Sequence, residues 1–164
     1  MIKIMIDLTS KPWWNYAPDD VRNLLKTSIT LCEKIDSWDE KFSDYSFVVF
    51  PAAKGYEGFL KKMFLDLGFI SKVEYEGKRF RIGRALNPEL EKELRHESIY
   101  DRISNYCQGE ELPKFLWETW KTCRNGVFHW FPGDKDNISL IDAKSKVDMI
   151  IEAIDFSVRE CKIG

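Results

Sequence analysis

The chain has 164 residues, of which 44% are hydrophobic and 14% aromatic, so it is long enough to bury one ordinary core and short for two. We expect residues 1–164 to form a single domain with its core over about residues 18–161. The net charge of −2 argues against a protein whose whole surface binds nucleic acid, so any affinity for nucleic acid must be local.

The cysteines and the apolar segments exclude further classes of protein. Four dispersed cysteines, none in a Cys-x-x-Cys pair, and only two histidines predict neither a metal site nor a disulfide framework, and we expect no cofactor. Residues 1–8 carry too short and too interrupted an apolar run for a signal peptide, and no other stretch approaches a membrane span. The sequence therefore predicts a cytoplasmic protein without a membrane partner.

The first half of the chain is predicted to be mainly helical. Pro18 and the two aspartates after it are typical of a first turn, and the apolar face that follows predicts a helix over about residues 18–36. Apolar residues then recur at helical spacing up to Gly68. They predict a longer helix that is kinked or begun at Pro51 and ends at the glycine.

Residues 69–84 break this helical periodicity. Val73 and Tyr75 alternate with polar residues, and across a short glycine-containing turn they match Phe80 and Ile82. Such alternation on both sides of a turn is typical of a β-hairpin. We therefore expect a small hairpin inserted among the helices.

The second half of the chain returns to helical patterns. Asn87 and Pro88 are typical of the N-cap and first position of a short helix, and another short helix is predicted around residues 99–103. A helix opened at Pro113 and a last helix capped by Asp142 follow. The predicted fold is all-α, a bundle of five or six helices with a small β-hairpin insertion.

The segment most suggestive of chemistry is residues 124–129, which reads Arg-Asn-Gly-Val-Phe-His. A histidine titrates near neutral pH and can accept the proton of a ribose 2′-hydroxyl, while an arginine offers paired donors to a phosphate. Residues five apart on a regular helix differ by about 140° in direction. Arg124 and His129 can therefore face one ligand only if the helix is disturbed, and Gly126 is the predicted point of disturbance.

The spacing Arg-Asn-x-x-x-His resembles the signature of the HEPN superfamily, small helical domains many of which are metal-independent RNases that act as toxins or in antiviral defence. A second stretch, residues 50–62, resembles a helix of the RNase LS-type toxins, whose HEPN domain places a glutamate near the Arg/His pair. This resemblance spans roughly residues 42–160. It implies a HEPN-like bundle and assigns the glutamate's role to Glu57.

The same resemblance implies a metal-independent endoribonuclease, the toxin of a toxin–antitoxin or phage-defence system. Arg124 would bind the scissile phosphate and His129 would act as general base, with Asn125 and Glu57 orienting or tuning them. HEPN RNases typically pair two copies of the motif, which implies a homodimer. An RNA substrate and an antitoxin protein are the other expected partners.

The basic residues around the predicted hairpin are the best local candidates for RNA contact, and we predict Lys54, Arg79 and Arg81 as RNA-binding residues. Lysines and arginines at such a place also have an ordinary explanation, as a charged edge that discourages strand-to-strand aggregation. The sequence does not decide between these interpretations.

The motif residues also have structural explanations. His129 lies between Phe128 and Trp130, as a hydrogen-bonded core or interface histidine often does, and Glu57 is correctly spaced to pair with Lys61 on a helix. An alternative function is therefore a non-catalytic HEPN-like interaction module that binds a protein, nucleotide or RNA partner.

Overall fold

The computed structural model describes residues 6–130, 132–133 and 136–163, so the N-terminal five residues considered above lie outside the described part. The α-helices are, in chain order, α1 (Asp19–Lys34), α2 (Ser46–Asp66), α3 (Lys72–Glu76), α4 (Ile82–Ala85), α5 (Ile99–Cys107), α6 (Glu111–Trp120) and α7 (Leu140–Cys161). A π-helical turn, Lys121–Asn125, continues α6. No β-strand occurs within the described ranges, which confirms the all-α prediction.

Helix α2 lies at the centre, in contact with α1 on one side and α7 on another, while α6 packs on α5 and α7. Two glycines of α2 allow α1 to approach closely. A Cβ atom on Gly58 would lie 2.7 Å from Val21 Cγ2, and one on Gly55 would lie 3.1 Å from two side-chain atoms of Leu25. Any larger residue at Gly58 would therefore force the Val21 side chain or its helix to shift.

Helix α2 passes through Pro51 without ending, although proline removes a helical hydrogen bond and crowds the preceding turn. The buried hydroxyl of Ser28, on α1, donates to the carbonyl oxygen of Val48 at 2.7 Å and accepts from the backbone N–H of Ala52 at 2.8 Å. Both groups belong to the turn that contains the proline. The side chain of the neighbouring helix thus satisfies backbone groups there, and α2 begins at Ser46 rather than at Pro51.

The predicted β-hairpin is wrong, because local capping favours helix in this segment. The hydroxyl of Ser71 accepts from the backbone N–H of Glu74, and the Glu74 carboxylate accepts from the backbone N–H of Ser71. This capping box begins α3, and Ile82 begins the separate helix α4. With the π-helical turn and without the short 3₁₀ helices, the described residues contain eight helices, above the predicted five or six.

Two predicted helix starts also differ from the structure. The Asn87 side chain accepts from the backbone N–H of Glu89 at 2.9 Å, which makes a turn instead of the start of an α-helix, and a short 3₁₀ helix, Lys92–Glu97, follows. The last helix is capped by Ser139, whose hydroxyl accepts from the backbone N–H of Asp142 at 3.1 Å. Asp142 therefore lies in the first turn of α7.

The buried core begins before α1, at Leu8, and extends to Cys161. Trp13 is fully buried, and its indole N–H donates to Asp155 Oδ1 at 2.5 Å, which fastens the N-terminal segment to α7. The sulfur atoms of Cys107 and Cys161 lie 3.7 Å apart as thiols. No helix in the described part of the chain has the length and apolarity needed to cross a membrane.

Candidate active site

The end of α6 changes from α-helix to π-helix where the Arg/His motif begins. The backbone N–H of Gly126 donates to the carbonyl oxygen of Lys121 at 2.9 Å, an i to i−5 bond, and the chain leaves the helix directly afterwards. His129 is therefore not on a regular helix with Arg124, and the 140° separation expected there does not apply. Gly126 has an α-helical conformation open to any residue, so the π-turn, and not the glycine's freedom, produces the change.

Arg124 and His129 line the same cavity, which has a volume of about 280 Å³ and which we call the Arg/His cleft. Two further predicted site residues, Lys54 and Glu57, contribute to it from α2. The remaining lining residues are Phe50, Ala53 and Phe128. The fold therefore brings together four of the seven predicted site residues, from segments about seventy positions apart in the sequence.

Arg124 is half-buried and held by its neighbours. Its Nη1 atom lies 3.4 Å from Asn125 Oδ1, and its guanidinium carbon lies 5.2 Å from the ring centroid of Trp120. No ion pair joins Arg124 to Glu57 in the described structure, and the Glu57 carboxylate pairs with Lys61 at 3.3 Å. Glu57 therefore forms the ion pair with Lys61 that their spacing on a helix predicted, and it also lines the cleft.

Trp120 is buried beneath this arginine and beside α4. Its indole Nε1 has no hydrogen-bond partner among the described residues, and a Cβ atom placed on Gly83 would lie 2.8 Å from that nitrogen. Glycine is therefore needed for α4 to lie this close to the indole. Because the Arg124 guanidinium lies over the same ring, its position depends on the fit between Trp120 and Gly83.

His129 is exposed, so the interpretation of it as a buried core residue does not describe this structure. Its neighbour Phe128 is half-buried and packs edge-on against Phe50, with ring centroids 5.4 Å apart. Trp130 is 78% exposed. The imidazole therefore lies on the surface between a packed aromatic residue and an exposed one.

Asp44 is a carboxylate near the cleft that the sequence analysis missed. It lines a second cavity, of about 290 Å³, whose wall also includes His129 and Trp130. Burial opposes its charge, but hydrogen bonds from the Ser46 hydroxyl and from the backbone N–H groups of Ile138 and Ser46 outweigh that effect and lower the pKa of Asp44. The sequence signal that could have found it is an aspartate just before a helix.

The other predicted residues lie beyond Arg124. Arg81 lines a cavity of about 450 Å³, which we call the central cavity, together with Asn125, Arg124 and Glu57. Arg79 is absent from the lining of both this cavity and the Arg/His cleft. It lies in a fourth depression, of about 330 Å³, which we call the distal pocket and whose walls include Phe69, Arg79, Phe80, Arg81, Arg84 and Arg102.

The described residues contain no group of three His, Cys, Asp or Glu side chains that could hold a metal ion. The chemistry that the cleft itself offers is an exposed imidazole beside a guanidinium. This combination can move a proton and bind a phosphate.

The chain is similar in sequence to known proteins. A model of the family described as RnaseLS-like HEPN matches residues 18–148. The chain is 25% identical over 148 residues to the mRNA endoribonuclease LsoA of Escherichia coli O157:H7. That match covers 88% of this chain but 39% of LsoA, so the chain spans about two fifths of that relative. No solved structure matches the chain significantly.

Proposed function

Because the chain belongs to the RnaseLS-like HEPN family, we propose that it is an endoribonuclease that cleaves RNA without a metal ion. The observation that carries this proposal is that Arg124 and His129 line one cleft although a regular helix would point them apart. The similarity to an mRNA endoribonuclease, at 25% identity, supports the same class of activity. The substrate's own 2′-hydroxyl supplies the nucleophile.

In the proposed reaction His129 removes the proton of the ribose 2′-hydroxyl, and the resulting oxygen attacks the adjacent phosphorus. The bond from phosphorus to the 5′-oxygen breaks, and that oxygen takes a proton from an imidazolium, that of His129 itself or that of its copy in a second chain. Arg124 binds the phosphate and stabilises the negative charge that builds on it in the transition state. The products are a 2′,3′-cyclic phosphate and a 5′-hydroxyl.

The other site residues have supporting roles in the proposal. Asn125 holds the Arg124 guanidinium through its amide oxygen, and Glu57 lines the cleft where its negative charge acts on Arg124 or His129. Lys54, which is exposed in the cleft, contacts RNA phosphates, as do Arg81 and Arg79 farther along.

The proposal is tested by incubating the purified protein with total RNA in excess EDTA. We expect cleavage at the rate seen without the chelator, because the proposed acid–base and phosphate-binding groups are all side chains. RNA alone in EDTA is the control. Cleavage that stops in EDTA and returns with added Mg²⁺ would contradict the metal-independent mechanism.

We propose further that the active species is a homodimer whose two clefts meet. One chain supplies one histidine to the cleft, whereas the reaction needs a base and an acid, and a two-fold axis would bring a second copy of the motif to the site. Phe50, which is 52% exposed, and Trp130 offer apolar surface beside His129 for such an interface.

Mixing Arg124→Ala chains with His129→Ala chains tests the dimer. Each variant alone is expected to be inactive, whereas a mixed dimer keeps one intact arginine and one intact histidine and should recover part of the activity. Differently tagged chains allow the mixed dimers to be isolated and assayed. Full activity of the parent protein at concentrations where sedimentation detects only monomer would contradict the shared site.

The biological role that we propose is that of a toxin in a toxin–antitoxin or phage-defence system. Cleavage of cellular RNA stops protein synthesis, so expression should arrest growth, and an antitoxin protein would be needed to neutralise it. Growth arrest should require His129.

A further inference from the structure

The Arg/His cleft is part of a longer groove. The cleft and the central cavity share Glu57 and Arg124 as lining residues. The central cavity and the distal pocket share Phe80, Arg81 and Arg84. Depressions that share lining residues adjoin. An RNA strand that leaves Arg124 on this side therefore passes Arg81 before it reaches the rest of the distal pocket.

The distal pocket is basic although the whole chain is slightly acidic. Four arginines line it against two glutamates, Glu74 and Glu97. Glu97 is paired with Arg84 at 2.6 Å. Glu74 is bound by the backbone N–H and hydroxyl of Ser71, which lower its pKa. Both carboxylates keep their negative charge, and Glu74 also interacts with Arg102, so the four arginines still leave the pocket with an excess of positive charge.

Two of the arginines hold the pocket together. Arg102 donates to the carbonyl oxygens of Phe69 and His96, and so joins two of its walls, while Arg84 is engaged with Glu97. These contacts keep the pocket in shape without a ligand.

The other two arginines remain available to a ligand. Arg79 is exposed and makes no hydrogen bond or ion pair with another described residue. Arg81 donates one N–H to the carbonyl oxygen of Lys78 at 2.6 Å and keeps its remaining donors. Guanidinium groups with open donors bind phosphate oxygens in pairs, so an anionic ligand is favoured here.

The pocket is also lined by an aromatic side chain that has no ring partner in the described structure. Phe80 is half-buried, whereas Phe69 already packs edge-on against Tyr106 with ring centroids 6.0 Å apart. Ile70 and Ile99 are buried and contribute apolar surface. A volume of about 330 Å³ lies in the range of small-ligand sites. Phosphate donors beside an aromatic ring match a nucleotide better than a simple anion.

We infer that the distal pocket binds an unpaired nucleotide of the RNA substrate, on one side of the scissile phosphate, with its base against Phe80 and its phosphate on Arg79 and Arg81. This inference rests on the proposed function for the identity of the ligand. A base can reach Phe80 only if it has left a double helix, so the substrate is single-stranded at this position.

The test uses 2′-O-methyl oligonucleotides of mixed sequence, from about 2 to about 12 nucleotides long, whose binding is measured by fluorescence anisotropy. They report binding whether or not the protein cleaves RNA. Wild-type affinity should rise with length once the strand reaches the distal pocket. Phe80→Leu, which keeps an apolar side chain but removes the ring, should lose about tenfold in affinity for the longer oligonucleotides.

Arg79→Gln should weaken binding of the longer oligonucleotides and lower the slope of log affinity against log salt by about 0.7. The matched control is Lys92→Gln, an exposed basic residue outside the groove, which should bind as the wild type does. A duplex of the same length should bind more weakly than the single strand.

If Phe80→Leu and Arg79→Gln bound the longer oligonucleotides as tightly as the wild type does, the inference would be overturned, even if the protein cleaves RNA in EDTA. Equal binding of duplex and single strand would overturn it as well. A protein that does not cleave RNA but shows the length-dependent losses would support the pocket while contradicting the proposed catalytic function.

Discussion

Replacing His129 or Arg124 by alanine is expected to lower the rate of RNA cleavage by about 10²-fold or more, because each change removes a group that acts in the transition state. His129→Gln should be nearly as impaired, since it keeps a hydrogen-bonding side chain of similar size but has no basic nitrogen near neutral pH. Arg124→Lys should recover only part of the rate, because lysine lacks the paired donors of the guanidinium. Initial rates on a labelled RNA measure these losses.

The alanine variants test the chemistry only if both of them still fold. His129 is exposed and Arg124 lies at the end of a helix, so thermal unfolding of both variants should stay close to that of the parent protein. Arg159→Ala, on the exposed side of α7, is the matched control for loss of a positive charge and should cleave at the parental rate. Cleavage by His129→Ala at the parental rate would remove the general base from the mechanism.

RNA that carries a 2′-O-methyl group at the cleaved position is expected to resist the enzyme completely, and so is DNA of the same sequence. In both substrates the proposed nucleophile is blocked or absent, whatever the affinity of the groove for the strand. The products of ordinary RNA should carry 2′,3′-cyclic phosphate and 5′-hydroxyl ends, which mass spectrometry of a short oligonucleotide identifies.

A second modified RNA is the matched control for the 2′-O-methyl experiment. An RNA methylated at a single position away from the cleaved bond should be cut as well as the unmodified strand, which separates chemistry from binding. Efficient cutting at the methylated position, or products with 5′-phosphate ends, would show that water attacks instead of the 2′-hydroxyl.

The larger helices of this chain were predictable because their signals are local. The apolar face after Pro18 predicted α1, and Gly68, which adopts a positive φ of 71° just after α2, stops that helix as expected. The hairpin prediction failed over residues 69–84, where a few alternating apolar residues suit either a strand or short helices. Capping by Ser71 and Glu74 decided in favour of helix.

The candidate site was predictable as a set of residues but not as an arrangement. The Arg-Asn-x-x-x-His spacing and the resemblance to RNase LS-type toxins pointed to Arg124, His129 and Glu57, because these are features of residue type and order. Their convergence depends on a π-helical turn after Trp120, and a change from i to i−4 to i to i−5 bonding leaves no pattern in the sequence.

Residue order alone predicts helical faces and the motif, because amphipathic spacing and side-chain chemistry are properties of neighbouring residues. Only tertiary packing places the Ser28 hydroxyl where it bonds to the backbone of α2 and lets the helix continue through Pro51. Only tertiary packing also fits Gly83 against Trp120, beneath Arg124. It also joins the central cavity to the distal pocket through Arg81. These contacts join segments that are distant in the sequence. They stabilise the fold only when the segments pack against each other, so the pattern of neighbouring residues does not predict them.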